Sequence, residues 1–254
     1  MIFSKKNSFF LLFSCFIVGN AFSQITDSTK VEKEQIRYSN IIKINTISLA
    51  FSNLSLIYER GIMPRVSAGI GVGFKLKGAV PSLLDIDNTL ITGDFDGITG
   101  FTITPEAKYY LRACDPGKLE GFYTGVYFRY TNYKTGANFN HKPLSGSPQS
   151  YHSDIRLREY GVGVQLGYQM LIKERFSIDF LFIGPRFASY KLGYKFDNPP
   201  SEAFLKDLSG AINEVIDRFG GDANVDIEKE GQAEANSSFS FVNMRFGISL
   251  GYAF

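Results

Sequence analysis

Tryptophan is absent from this chain of 254 residues, histidine occurs only as His141 and His152, and cysteine only as Cys15 and Cys114. So few thiols exclude both four-thiolate zinc sites and Cys-x-x-Cys redox pairs. Long apolar runs are scarce too. Beyond the N-terminal segment no run of about 18 apolar residues occurs, so no later segment suits a membrane-crossing helix. An excess of one charge is also missing, since 27 basic residues stand against 25 acidic ones. That balance offers nothing to nucleic acid, which is not expected as a partner.

The N-terminus reads as a secretory signal peptide over residues 1–23. Lys5 and Lys6 form its charged region, Phe9 to Val18 a short apolar run, and Ala21-Phe22-Ser23 the small residues before a cut ahead of Gln24. A rival reading takes Cys15 as a lipoprotein cysteine, but bulky Phe13 and the very short apolar run before it argue against that. Removing residues 1–23 takes away two lysines and no acid, leaving 25 basic residues against 25 acidic ones. Cys114 is then alone, so no internal disulfide forms even in an oxidising compartment. Residues 24–40 are polar and without period, a periplasmic lead-in to a folded domain over 41–254.

What the chain does have is aromatics, 24 Phe and 14 Tyr, and a two-residue period. Tyr suits a strand end that is apolar along its body and wet at its tip. The third candidate strand is the cleanest: Val66, Ala68, Ile70, Val72, Phe74 and Leu76 face one way, and Ser67, Gly69, Gly71, Gly73, Lys75 and Lys77 the other. Similar segments start at Ile41 (to Phe51), Leu54, Phe101, Phe122, Tyr160, Phe176 and Val242. The period breaks near Gly184-Pro185, which suggests a bulge. Short links after Ile62, Arg112 and Met170 alternate with long polar ones at 77–100, 134–154 and 196–237. The expected fold is therefore all-β, an eight-stranded antiparallel up-and-down transmembrane β-barrel. A soluble lipocalin-like barrel also alternates, but its interior is apolar to hold a ligand. A short helix is expected in the last outer loop, capped by Ser201 and stopped at Gly220-Gly221. Its stripe of Phe204, Leu208, Ile212, Val215 and Phe219 packs over the barrel mouth or neighbouring loops, serves a protein partner, or lies on lipid.

The final strand, Met244 to Phe254, alternates to a terminal aromatic. It resembles the closing strand of bacterial outer-membrane barrels, whose C-terminal Phe and preceding Tyr form an assembly signal. The resemblance makes Tyr252 and Phe254 that signal and the barrel-assembly machinery a partner. Leu56-Ile57-Tyr58-Glu59-Arg60 and Thr104-Pro105-Glu106-Ala107-Lys108-Tyr109-Tyr110 look like the recurring strand patterns of small outer-membrane barrel families of uncharacterised function. That resemblance implies an outer-membrane location and contact with its lipid, and supplies no catalytic residue.

For chemistry, the small inner-face residues leave room for a lumenal charge network of Glu59, Glu106, Lys108, Arg129, Asp179 and Arg245. Lys75, Lys77 and Arg112 share that face. His141 and His152 fall in the loop at 134–154 beside Ser145, Ser147, Ser150 and Ser153, where nothing holds them as catalytic groups. Asp85-Ile86-Asp87-Asn88 and Asp94-Phe95-Asp96-Gly97 each resemble a fragment of a calcium loop but lack the full ligand series and its closing Glu. The glycine runs at 69–73 and 161–163 lie inside strands and open no helix, so they are not a dinucleotide fingerprint. No metal, cofactor or catalysis is expected. The expected function is a non-enzymatic barrel with a filled lumen, structural or partner-binding through its outer loops. The alternatives are a narrow passive pore and, further off, a rim enzyme acting on lipid.

Overall fold

Where apolar and small or polar residues alternate, the chain forms strands, because successive side chains of a strand point to opposite faces. A computed structural model describes residues 40–78, 86, 89–111, 118–144, 147–218, 225–229 and 233–254. The chain divides into units Met1–Glu34 and Gln35–Phe254, and every described residue belongs to the second. The expected signal peptide, nearly all of the lead-in, Arg112, Cys114, Ser145 and Phe219 lie outside the described residues.

The elements are β1 (Asn40–Asn45), a helical turn α1 (Thr46–Ala50), β2 (Asn53–Met63), β3 (Val66–Gly78), β4 (Ile91–Phe95) and β5 (Ile98–Tyr110). They continue as β6 (Gly121–His141), β7 (Gln149–Ile172), β8 (Phe176–Phe196), helix α2 (Glu202–Arg218), β9 (Glu228–Lys229) and β10 (Glu234–Ala253). Eight strands pair antiparallel in the order β1-β2-β3-β5-β6-β7-β8-β10, and β10 pairs back to β1, so the sheet is a closed ring. Ile41 lies opposite Ala253 and Asn45 opposite Ser249 at the closure. Asn40 N–H donates to the Phe254 carbonyl at 3.2 Å and Phe254 N–H to that of Asn40 at 2.9 Å, extending the seam by one residue. β4 pairs with the far end of β6, and β9 with two residues of β10.

Three expectations are corrected. The first strand does not run to Phe51. It ends at Asn45, whose side chain accepts from Ser48 N–H at 2.9 Å and caps α1. Second, the segments 134–154 and 196–237 are not simply loops. β6 and β7 form one long hairpin with 21 pairs, from Gly121 opposite Gln169 to His141 opposite Gln149, and β10 rises beside β8 from Glu234. Third, the stretch 77–100 contains β4. The register slips where Leu181 and Ile183 face Gly167 and Leu166, beside the break in period at Gly184-Pro185.

The two faces of the ring differ in chemistry. Outward, exposed Leu56, Ile70, Phe74, Val126, Val164, Phe182 and Phe246 belong to a continuous apolar band. On β3 it runs from Val66 to Leu76 and on β10 from Val242 to Tyr252, 11 residues each. At about 3.3 Å per residue and a tilt near 45°, that is a height of roughly 25 Å. Tyr130 and Tyr160 are cross-strand partners at its upper edge, while Tyr58, Tyr109 and Tyr252 stand near its lower one. Inward, the same strands carry Gly, Ser, Thr, Gln and buried charges.

Beyond the band β6, β7, β8 and β10 continue as a sheet whose inward face is capped. Phe204, Leu205 and Leu208 of α2 pack on Phe139, Tyr151, Ile155, Tyr194 and Phe196, with Ile86 and Ile91 alongside. Ser201 opens the helix as expected, its hydroxyl accepting from Phe204 N–H at 3.2 Å. Burial in this cap pushes the Tyr194 hydroxyl above its ordinary titration range.

Candidate functional site

The groups that carry charge converge inside the ring near its short-turn end. Glu59 on β2, Glu106 and Lys108 on β5, and Asp179 on β8 all point inward, joined by Lys43 from β1. Lys43 Nζ pairs with Glu59, meets Asp179 Oδ2 at 2.7 Å and donates to Gln169 Oε1 at 2.6 Å. Lys108 Nζ lies 2.7 Å from Asp179 Oδ2, 3.2 Å from Glu59 Oε2 and 3.6 Å from Glu106 Oε1. The remaining carboxylate oxygens are also met. Tyr110 and Ser67 donate to Glu59 Oε1 at 2.7 and 2.5 Å, and Tyr123 donates to Asp179 Oδ1 at 2.7 Å. Lys108 sits over the Tyr123 ring, 4.3 Å from its centre. Charges taken from water are tolerated only when paired and hydrogen-bonded in this way. Tyr110, Tyr123, Lys43, Gln165 and Gln169 are each less than 2% exposed, so this level of the interior is packed.

Glycine makes the packing possible. A Cβ on Gly163 would lie 2.5 Å from the Pro185 carbonyl oxygen and 2.8 Å from the Tyr127 ring. Small residues on β7 therefore admit the large ones on β6.

Above this network Arg245 of β10 donates to Glu106 Oε2 at 3.1 Å and lies over the Tyr127 ring. Arg129 stands apart from the lysine network, donating to Thr131 Oγ1 at 3.5 Å, and Arg186 pairs with Glu159 at 2.7 Å. A cavity of about 270 Å³ opens here, lined by Asn45, Asn53, Thr102, Thr104, Arg129 and Arg245. At about 30 Å³ per molecule it has room for several waters. Five of the six residues expected in the lumen network thus share one connected set, and Arg129 lines the cavity beside it. Lys43, Tyr110, Tyr123, Gln169 and the Arg186–Glu159 pair were not expected. Lys43 had a signal, a lone cation among Ile41, Ile42 and Ile44 in a strand. Lys75 reaches the Phe51 carbonyl at 2.5 Å, whereas a register slip between Lys75 and Gly78 separates Lys77 from the inner row.

The other candidates sit elsewhere. His141 and His152 are on β6 and β7, not on a free loop, because the hairpin continues through them. His141 is buried under α2, its Nε2 2.8 Å from Asp207 Oδ2, and His152 Nδ1 is 2.8 Å from Asn138 Oδ1. Among the described residues no serine hydroxyl bonds either ring, and no cluster of His, Cys, Asp or Glu could hold a metal. Of the calcium-loop fragments, Asp85, Asp87 and Asn88 lie outside the described residues, and Asp96 N–H donates to the Gly136 carbonyl. Of the helix stripe, Phe204 and Leu208 are fully buried, Ile212 and Val215 pack half-buried against the same core, and Phe219 is outside the described residues. Tyr252 and Phe254 are exposed at the seam.

A family model described as a protein of unknown function, DUF3575, matches residues 28–196. The chain belongs to the DUF3575 family. The match takes in β1 to β8 of the DUF3575 ring and ends at Phe196, before α2 and β10. The crystal structure of a major outer membrane protein from Thermus thermophilus is similar at 11% identity and a TM-score of 0.30, over 85% of this chain and 98% of that one. No curated protein matches the chain.

Proposed function

We propose that this DUF3575 protein is an integral outer-membrane β-barrel, exported by residues 1–23 and closed inside by side chains. It acts without catalysis, as a structural element of the envelope or by offering its capped outer end to a protein partner. The apolar band around a closed ring carries this reading. A soluble monomer rarely exposes an apolar patch beyond about 300–600 Å², yet here every ring strand exposes apolar side chains outward. A bilayer solvates such a face, and a ring without free edges satisfies backbone groups within it. The charged interior argues against the lipocalin alternative, which needs an apolar one. Tyr252 and Phe254 face outward on the closing strand, where assembly machinery would read them.

Two measurements test this. The native protein is expected in a membrane fraction resistant to urea washing, with a gel mobility that changes on boiling. A soluble protein with unchanged mobility contradicts the architecture. In planar bilayers the folded chain is expected to give no steady current. A current that disappears on replacing Arg129 or Arg245 supports the pore instead.

A further inference from the structure

The outward face just above the apolar band is strongly sorted by charge. Tyr130, Tyr160, Ser189 and Ser240 form the row at the band's edge across β6, β7, β8 and β10. The next row up is Asn132, Arg158, Lys191 and Ser238, and the one after it Lys134, Arg156, Gly193 and Asn236. On these four strands the two rows hold four cations and no acid. On these strands acids appear first in the third row, Asp154 and Glu234 on either side of Lys195, while on β9 Glu228 stands opposite Asn236 of the second row.

Two of the cross-strand pairs are cation against cation: Lys134 faces Arg156, and Arg158 faces Lys191. Like charges directly opposite one another weaken a sheet. All four side chains are exposed, and none makes an ion pair or hydrogen bond with another described residue. They line a groove of about 1160 Å³ on the outward surface, whose margins carry Asp96, Asp154 and Glu234 in the row above and Asp226 and Glu228 beyond β10. Successive rows on one face are roughly 7 Å apart along a strand, so on tilted strands both rows fall within about 10 Å of the band edge. That is the height of the headgroup layer of a bilayer whose hydrocarbon matches the band.

We infer that Lys134, Arg156, Arg158 and Lys191 form a binding site for the phosphorylated, anionic headgroup of an outer-leaflet lipid. The two Arg forks and the two Lys point charges suit phosphate oxygens, and a bound anion relieves both like-charged pairs. The inference rests on the membrane reading above and adds the class of lipid that contacts this sector.

The test uses the refolded full chain in phosphatidylcholine vesicles with and without diphosphoryl lipid A, re-extracted in mild detergent, with retained lipid A counted by native mass spectrometry. Wild type is expected to retain lipid A in preference to phosphatidylcholine. The K134Q/R156Q/R158Q/K191Q variant should insert equally well and lose retention by about tenfold or more for each pair of charges removed. A control with R60Q/R65Q/K173Q at the opposite end should retain it. Equal retention by wild type and the four-site variant overturns the inference and leaves the membrane reading intact. Displacement of lipid A by inorganic phosphate overturns the lipid as the occupant. Failure of wild type to insert into either vesicle overturns both readings.

Discussion

Lys108→Met is expected to lower the stability of the folded chain by about 3–5 kcal/mol, the cost of leaving buried charges without their partner. Among the described residues Lys108 alone meets all three carboxylates Glu59, Glu106 and Asp179. Methionine keeps an unbranched apolar stem as far as Cε, with sulfur at the δ position, and removes the ammonium. Lys43 still reaches Glu59 and Asp179, so the fold should survive, but three carboxylates then share one lysine and Arg245. In urea the midpoint should fall by roughly 1–5 M at the slope usual for small proteins. Adding Asp179→Asn should restore part of the loss, because it removes an uncompensated charge from the same site. A loss below about 1 kcal/mol would mean that water reaches these pairs as it does at a surface.

The second large effect distinguishes lipid from water outside the ring. Val164 on β7 points outward opposite Val126 and is 54% exposed. In a soluble sheet, Val164→Arg at so open a position would change stability by no more than about 0.5 kcal/mol. At mid-band in a bilayer it should cost about 2–4 kcal/mol. The expected result is a large loss for Val164→Arg and a small one for Asn140→Arg, an exposed outward position higher on β6 opposite uncharged Ser150. Equal, small losses at both positions would contradict a lipid-facing band.

How much of this is legible in the sequence depends on what each face meets. β3 reads directly, because its outward row is apolar and its inward row is glycine and polar residues over its whole length. In the upper halves of β6 and β7 the alternation persists with its polarity changed. Ala137, Phe139 and His141 face in, while Asn132, Lys134 and Asn138 face out, so the segment resembles a polar loop until the hairpin is seen. The α1 turn was hidden for the opposite reason. Ile47, Leu49 and Phe51 keep the two-residue spacing of a strand, and only the Asn45 cap together with the Thr46 hydroxyl on the Ile248 carbonyl ends β1 early. The network follows the same logic. Glu59, Glu106 and Lys108 stand on strands with clear periods, whereas Arg186 lies just past the slip in β8, where parity reverses. The four outward cations were out of reach because Lys134 lies in the segment that reads as a loop, Arg156 and Arg158 in the stretch between it and the strand at Tyr160, and their alignment across β6, β7 and β8 exists only in the register.

The absence of tryptophan permits the most direct test of the membrane reading. A single Phe246→Trp reporter lies outward near the middle of the band, where Phe246 is 68% exposed, and Phe139→Trp places the same reporter under the α2 cap, where Phe139 is 1% exposed. In vesicles of phospholipid brominated along the acyl chain, fluorescence from Phe246→Trp should be strongly quenched and that from Phe139→Trp nearly untouched. Equal and weak quenching at both positions would contradict a ring that faces lipid.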